Sequence, residues 1–197
     1  MTAARLERAV LLAAIRAAAA NGVDWVQVRD PHATARELFE LVEDVIAICR
    51  ERRVRVAVND RVDVALAAGA DGVQLGERSL PVTAARRIAP DLRFGVSVHD
   101  VASAQRAEAE GADWVTFGHV FATSSHPGEP PPGLDELARV TGAVQLPVIA
   151  IGGIGPDQVE AVLAAKAAGI AVISAIVHAP DPGAATAALR RRLGQSA

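Results

Sequence analysis

The chain has 197 residues, a formal net charge of −3 and a sequence pI near 5.9. That length suits one domain, residues 1–197, with a sizeable core, and the slightly acidic balance without any basic run argues against a nucleic-acid partner. Lys166 is the only lysine and Cys49 the only cysteine, so no intrachain disulfide forms, and no apolar run reaches the roughly 18 residues of a membrane span; a reducing cytoplasm fits.

The N-terminal stretch "ARLERAVLLAAIRAAAANG" is interrupted by Glu7 and Arg16, which excludes a signal peptide. Its apolar residues Leu6, Val10, Ala13 and Ala14 share one helical face, and Asn21-Gly22 stops the helix. A strand follows at 25–29, then a helix over 33–52 in which Cys49 reads as a small buried hydrophobe. Next come a strand at 54–59, a short helix at 61–68, a strand at 72–75 and a helix at 81–89. A strand at 94–98 leads through the cap residue Asp100 to a helix at 101–110, and a strand at 114–117 runs into a loop. That loop ends in "SSHPGEPPPG", whose proline and glycine content suggests a lid or a disordered segment. A helix at 134–141 and a strand at 148–151 follow. Gly155-Pro156 opens a helix over 156–168, a strand lies at 171–174, and Asp181 caps a last helix over 182–193.

One phrase recurs along this order: "GVDWVQV", "GADGVQL", "GADWVTF" and "GIAVISA" each follow an Ala-rich helical segment. Glycine stands where the helix ends and a β-branched strand comes next, which is the joint of an α/β repeat. The strands are nearly continuous apolar runs, as parallel strands covered on both faces should be. Seven strands allow a doubly wound sheet or a (β/α)8 barrel. No G-x-G-x-x-G follows the first strand, and polar residues cluster after almost every strand, so the barrel is preferred. The count is short by one: the first strand is absent or truncated, with "MTAAR" as its remnant. The exposed edges would then be the strands at 25–29 and 171–174, covered by the N-terminal segment, an upstream extension or a second copy of the chain in a homodimer.

The strand-end residues include Arg29-Asp30, Asn59-Asp60, Ser97, His119, Gly152-Gly153 and Ser174. The stretch "WVTFGHVFATSSHPG" brings His119, Thr123, Ser124, Ser125 and His126 into one loop without a lysine or arginine. The turns "IGGIG" and "ISAI" can instead give backbone N–H groups to a phosphate, since glycine allows close approach and a helix N-terminus favours an anion. An ordinary glycine turn would look the same.

In order, "VQVRD", "VAVNDRVDVALAAGADGVQLGE", "GVSVH", "FGHVFAT", "PVIAIGGI" and "AVISAI" resemble the thiamine phosphate synthase / TenI family of barrels over about residues 20–185. The resemblance implies one of two enzymes. Synthases join a pyrimidine diphosphate to a thiazole phosphate with Mg²⁺, and TenI-type tautomerases aromatise a thiazole phosphate by moving a proton. Against the synthase motifs, Arg29, Asn59-Asp60, Ser97 and Thr123 match. A family lysine falls on Pro31, the second magnesium carboxylate on Ser79, and the lysine closing "TxTK" on His126. A diphosphate leaving group calls for Mg²⁺ and cationic clamps, so these losses favour a TenI-type thiazole tautomerase, an isomerase without cofactor or metal.

On that reading His119 is the base, alone or with Asp30. Arg29, Asn59, Ser97 and Thr123 face the thiazole, while Gly152, Gly153, Ile173 and Ser174 hold its phosphate. Plainer roles compete: His119 ending a strand, Arg29 in a salt bridge with Asp30 or Asp60, and Asn59-Asp60 capping the next helix. A synthase with Mg²⁺ on Asp60 is the alternative. A non-catalytic phosphate-binding or regulatory homologue is the second.

Overall fold

In the computed structural model, which describes residues 7–194, the strand phrases all lie in one parallel sheet. The order is α1 (Arg8–Ala20), β1 (Trp25–Val28), α2 (Ala35–Arg50), β2 (Arg55–Asn59), α3 (Val62–Ala68), β3 (Gly72–Leu75), α4 (Val82–Ile88) and β4 (Arg93–Val98). It continues with α5 (Val101–Ala109), β5 (Trp114–Phe117), α6 (Gly133–Ala143), β6 (Val148–Ile151), α7 (Val159–Ala164), β7 (Gly169–Ala171), α8 (Ser174–Val177) and α9 (Pro182–Gly194). The strands pair in the order β1-β2-β3-β4-β5-β6-β7 and curl into an incomplete TIM-like barrel. No strand joins β1 to β7 among the described residues; the "MTAAR" segment lies outside them. The outer side of that gap is crossed by α1, which packs on α2, α8 and α9. Arg8 ties α1 to α2 through Asp44 at 2.8 Å, and Arg190 of α9 reaches Asp24 at 2.9 Å.

The recurring glycine phrase has a specific physical basis. Gly22, Gly69 and Gly111 have φ of 98°, 70° and 86°, a left-handed turn that glycine adopts without steric cost. The aspartate two residues on closes the joint in the second and third copies. Asp71 accepts from the Val56 N–H at 2.8 Å, and Asp113 from the Phe94 N–H at 2.7 Å, each satisfying an amide on the preceding strand. In the fourth copy the left-handed residue is Lys166 (φ 63°), so this lysine sits in the turn and not in a helix. The last strand accordingly begins at Gly169 and ends at Ala171, three residues before the expected boundary.

Residues alternate between the two faces of the sheet. Val56, Val58, Val73, Leu75, Phe94, Val98, Val115 and Phe117 are buried together with Leu38, Val42, Val45 and Cys49 of α2. Each such fully buried side chain contributes about 1.5–3 kcal/mol. Burial, and then the charge of Asp71, push the Cys49 thiol up to about 11, as befits an inert core residue. The opposite, concave face carries Trp25 and Trp114, whose rings meet across the barrel with centroids 5.4 Å apart. Gly95 makes room for them, since a Cβ there would lie within the Trp114 indole.

Candidate functional site at the strand C-termini

Above the two tryptophans, the concave face is lined by polar side chains in mutual contact. Gln74 of β3 donates to Ser97 Oγ of β4 at 3.0 Å and accepts from Trp114 Nε1 at 3.0 Å and Thr116 Oγ1 at 3.2 Å. It is 3% exposed and bonded through both its amide oxygen and its amide nitrogen, so it fixes the Ser97 hydroxyl. Sequence reasoning named Ser97 but missed Gln74, whose glutamine inside an apolar strand ("GVQL") was the available signal.

A second group gathers at the ends of β1, β2 and β3. Gln27 Nε2 donates to Asn59 Oδ1 at 3.1 Å, and Asn59 Nδ2 donates to Asp60 Oδ2 at 2.7 Å. The other Asp60 oxygen accepts from Ser79 Oγ, which itself takes the Gly76 N–H at 2.6 Å. Asp60 has φ of 62°, a conformation that aspartate tolerates better than most residues. Asn59 and Asp60 do not cap α3 with their side chains; its N-cap is Arg61, which makes no side-chain cap bond. Ser79, read from sequence as a lost carboxylate, therefore stands in contact with the remaining one. The group is made of one carboxylate, one hydroxyl and two amides.

Arg29 is exposed just beyond β1, and Asp30 folds back so that Oδ1 accepts the His32 N–H at 3.0 Å. Neither residue is placed against His119 by any of these bonds. The turn after β6 holds Gly152 and Gly153 at φ of 101° and 66°. There the glycines let β6 pack against the chain after β5: a Cβ on Gly152 would meet the backbone and Cβ of His119, and one on Gly153 would lie 2.5 Å from the Ala122 carbonyl. Val120 N–H donates to Ile151 O at 2.9 Å and Phe121 N–H to Gly152 O at 3.1 Å, completing the join. Ile173 and Ser174 follow β7 next door. The strand expected over 171–174 has already ended: Ser174 is the first residue of the short helix α8 and Ile173 its N-cap.

His119 follows a cis peptide with Gly118 and is 8% exposed. Its Nε2–H donates to the Glu129 carbonyl at 3.3 Å, and its ring stacks on His126, centroids 4.5 Å apart and planes at 12°. Thr123 Oγ1 accepts the Ser125 N–H at 3.4 Å within the same loop. The segment expected to be a lid or disordered is thus folded back on the strand end by His126. His99 Nδ1 contacts the Gly118 carbonyl at 2.9 Å.

These strand ends have close counterparts. The chain is 47% identical over 180 residues to the thiamine-phosphate synthase of Methanoculleus marisnigri, covering 90% of this chain and 85% of the relative. It is 45% identical over 177 residues to the thiamine-phosphate synthase of Roseiflexus sp. (strain RS-1), covering 89% and 75%. A solved structure of thiamine phosphate pyrophosphorylase from Pyrococcus furiosus superposes with a TM-score of 0.88 at 39% identity, covering 94% of this chain and 90% of that one. These relatives overturn the tautomerase expectation: proteins this similar, over nearly the whole chain, carry the synthase name and not an isomerase name. The inference rested on missing lysines and a missing carboxylate; at two of those positions Ser79 contacts Asp60 and His126 stacks on His119. A family model described as "Thiamine monophosphate synthase" matches residues 1–176, and the chain belongs to that family.

Proposed function

We propose that the chain is a thiamine-phosphate synthase, a transferase that joins a pyrimidine diphosphate to a thiazole phosphate. The observation that carries this reading is 45–47% identity to synthases over nine tenths of the chain, spanning every strand end described above. In the reaction the diphosphate departs as the bond to the thiazole forms, so the site must stabilise charge on a leaving group.

Mg²⁺ would supply that stabilisation. The group at the ends of β2 and β3 fits such an ion: Mg²⁺ is commonly held by one or two carboxylates, with substrate phosphates and waters completing its shell. Asp60 offers the carboxylate and Ser79 the hydroxyl, and their existing contact brings both oxygens to one point. This replaces the expectation of an enzyme without cofactor.

The rest of the site is built by the chain itself. Gln74 holds the Ser97 hydroxyl on the concave face, where it can orient a ring substrate. Trp25 and Trp114 add aromatic surface to the concave face. The turns after β6 and β7, with Gly152, Gly153, Ile173 and Ser174, take the thiazole phosphate through backbone N–H groups. Arg29, exposed at the rim, adds positive charge for the diphosphate.

The test is incubation of the purified protein with both substrates. Formation of thiamine phosphate that stops with EDTA and resumes with Mg²⁺ is the expected result. Absence of product at any Mg²⁺ concentration would refute the reading.

A further inference from the structure

The loop after β5 holds a second constellation, distinct from the oxygen group at Asp60. His119, His126 and Glu129 each present a ligand atom, and these atoms lie within 4.8 Å of one another. We propose that they form a binding site for a zinc-class divalent ion, with an open position for an oxygen anion.

Three observations support the site. The first is the donor set. Two imidazoles and one carboxylate match three-ligand zinc sites, which leave a fourth position to water or substrate. Imidazole nitrogen selects borderline-soft ions, whereas the carboxylate and hydroxyl of Asp60 and Ser79 suit a hard ion. The second is preorganisation. His119 is 8% exposed, and its backbone is held by the Gly152 turn and the Val120–Ile151 bond. Its Nε2 lies 3.3 Å from the Glu129 carbonyl, a contact that fixes the ring; metal-ligating histidines are commonly oriented by a backbone carbonyl. His126 is stacked on it at 4.5 Å, and the turn is closed by the His126 N–H to Thr123 O at 3.1 Å and Glu129 N–H to His126 O at 3.4 Å. The third is charge. From Gly118 to Gly133 the sequence contains no lysine or arginine, and Glu129 is its only carboxylate. A bound divalent ion would turn this loop from an acidic segment into a cationic one, able to meet a phosphate oxygen. That last use rests on the synthase reading; the metal site does not.

The experiment uses the full chain stripped with EDTA and then titrated with Co²⁺, whose visible spectrum reports tetrahedral nitrogen–oxygen ligation, followed by displacement with Zn²⁺. One Co²⁺ per chain is expected, displaced by one Zn²⁺. His126→Ala and Glu129→Gln change exposed side chains and should leave the melting transition in place. Each should weaken Co²⁺ binding by at least the roughly tenfold that loss of a ligand's supporting partner typically costs. Asp60→Asn should leave it unchanged. Equal binding by the native chain and the His126→Ala/Glu129→Gln double variant would overturn the proposal, as would loss of binding only in Asp60→Asn. Transferase activity does not enter this readout, so its failure and that of the synthase reading are separate results.

Discussion

Ser79→Asp is the most informative perturbation of the site. It places a second carboxylate where Ser79 Oγ now donates to Asp60 Oδ1. Without metal the two charges oppose each other. At about 4 Å their repulsion is ~1 kcal/mol in water and ~4 kcal/mol at an effective dielectric of 20. Asp60 is exposed and Ser79 half-buried, so the lower end applies, about 1–2 kcal/mol. For a chain of this size that corresponds to a fall in melting temperature of roughly 2–8 °C in EDTA. Added Mg²⁺ should reverse the loss, because binding stabilises the folded state by RT ln(1 + [L]/Kd), about 2.7 kcal/mol at a hundredfold excess over Kd. The half-saturating Mg²⁺ concentration for product formation should fall by about tenfold, a gain of about 1.4 kcal/mol in binding. Ser79→Ala should shift it the other way. Melting scans with EDTA or Mg²⁺ and activity titrations with Mg²⁺ read both effects. If both variants keep the native Mg²⁺ dependence in both measurements, the ion is not held at Asp60 and the assignment of this group fails.

Asp71→Ala removes the acceptor for the Val56 N–H, in a residue 1% exposed; the orphaned amide should cost about 1–3 kcal/mol in urea unfolding, and a change under half a kcal/mol would contradict the role given to the glycine–aspartate joint. Gly95→Ala forces a methyl into the Trp114 ring, so a loss of about 1–3 kcal/mol or more with altered tryptophan fluorescence is expected; an unchanged spectrum and midpoint would mean that the indole does not rest there. Asp100→Ala removes the cap of α5, where Asp100 accepts the Ser103 N–H at 2.7 Å, and should cost about 1 kcal/mol at neutral pH. The Ser103 hydroxyl and N–H hold the Asp100 carboxyl below its ordinary value. A depressed folded value means stability that is present above the unfolded pKa of about 3.9 and lost as pH falls through the folded one, so the gap between native and variant should close in acid; a gap that widens there would refute the assignment.

What could be read from the sequence depended on whether a feature is local. Glycine at a helix end followed by a β-branched run is a local signal that marked β1, β3 and β5, and continuous apolar runs marked β2, β4 and β6, all within about two residues. It misplaced β7 because the left-handed position there is Lys166, a residue that carries no such signal. Asp100 and Asp181 were legible as caps, since a side chain bonding three residues ahead is also local: Asp181 Oδ1 accepts the Ala184 N–H at 2.9 Å. The site was only partly legible. Asn59, Asp60, Ser97 and His119 stood out at strand ends, but the Gln74 bonds run to residues 23–42 positions away. The His119–His126 stack needed a loop to fold back, and a Pro/Gly-rich composition speaks against order without showing which side chain closes the loop.

The tautomerase error has the same origin. A sequence displays side-chain charges, so three absent charges looked like an inability to handle a diphosphate. Charge at a site also comes from backbone amides and bound ions, and neither shows in a residue count. What decides whether ions can contribute is the geometry of the donors: Asp60 and Ser79 touch although they are 19 positions apart, and His119 and His126 stack although they are seven positions apart. The oxygen donors Asp60 and Ser79 and the nitrogen donors His119 and His126 favour different ions, so the two proposed sites would place positive charge at two points without a lysine. Ser79→Asp probes the first, since it changes Mg²⁺ dependence through the oxygen set alone. A variant that altered Co²⁺ ligation as well would mean that the two sets share one ion.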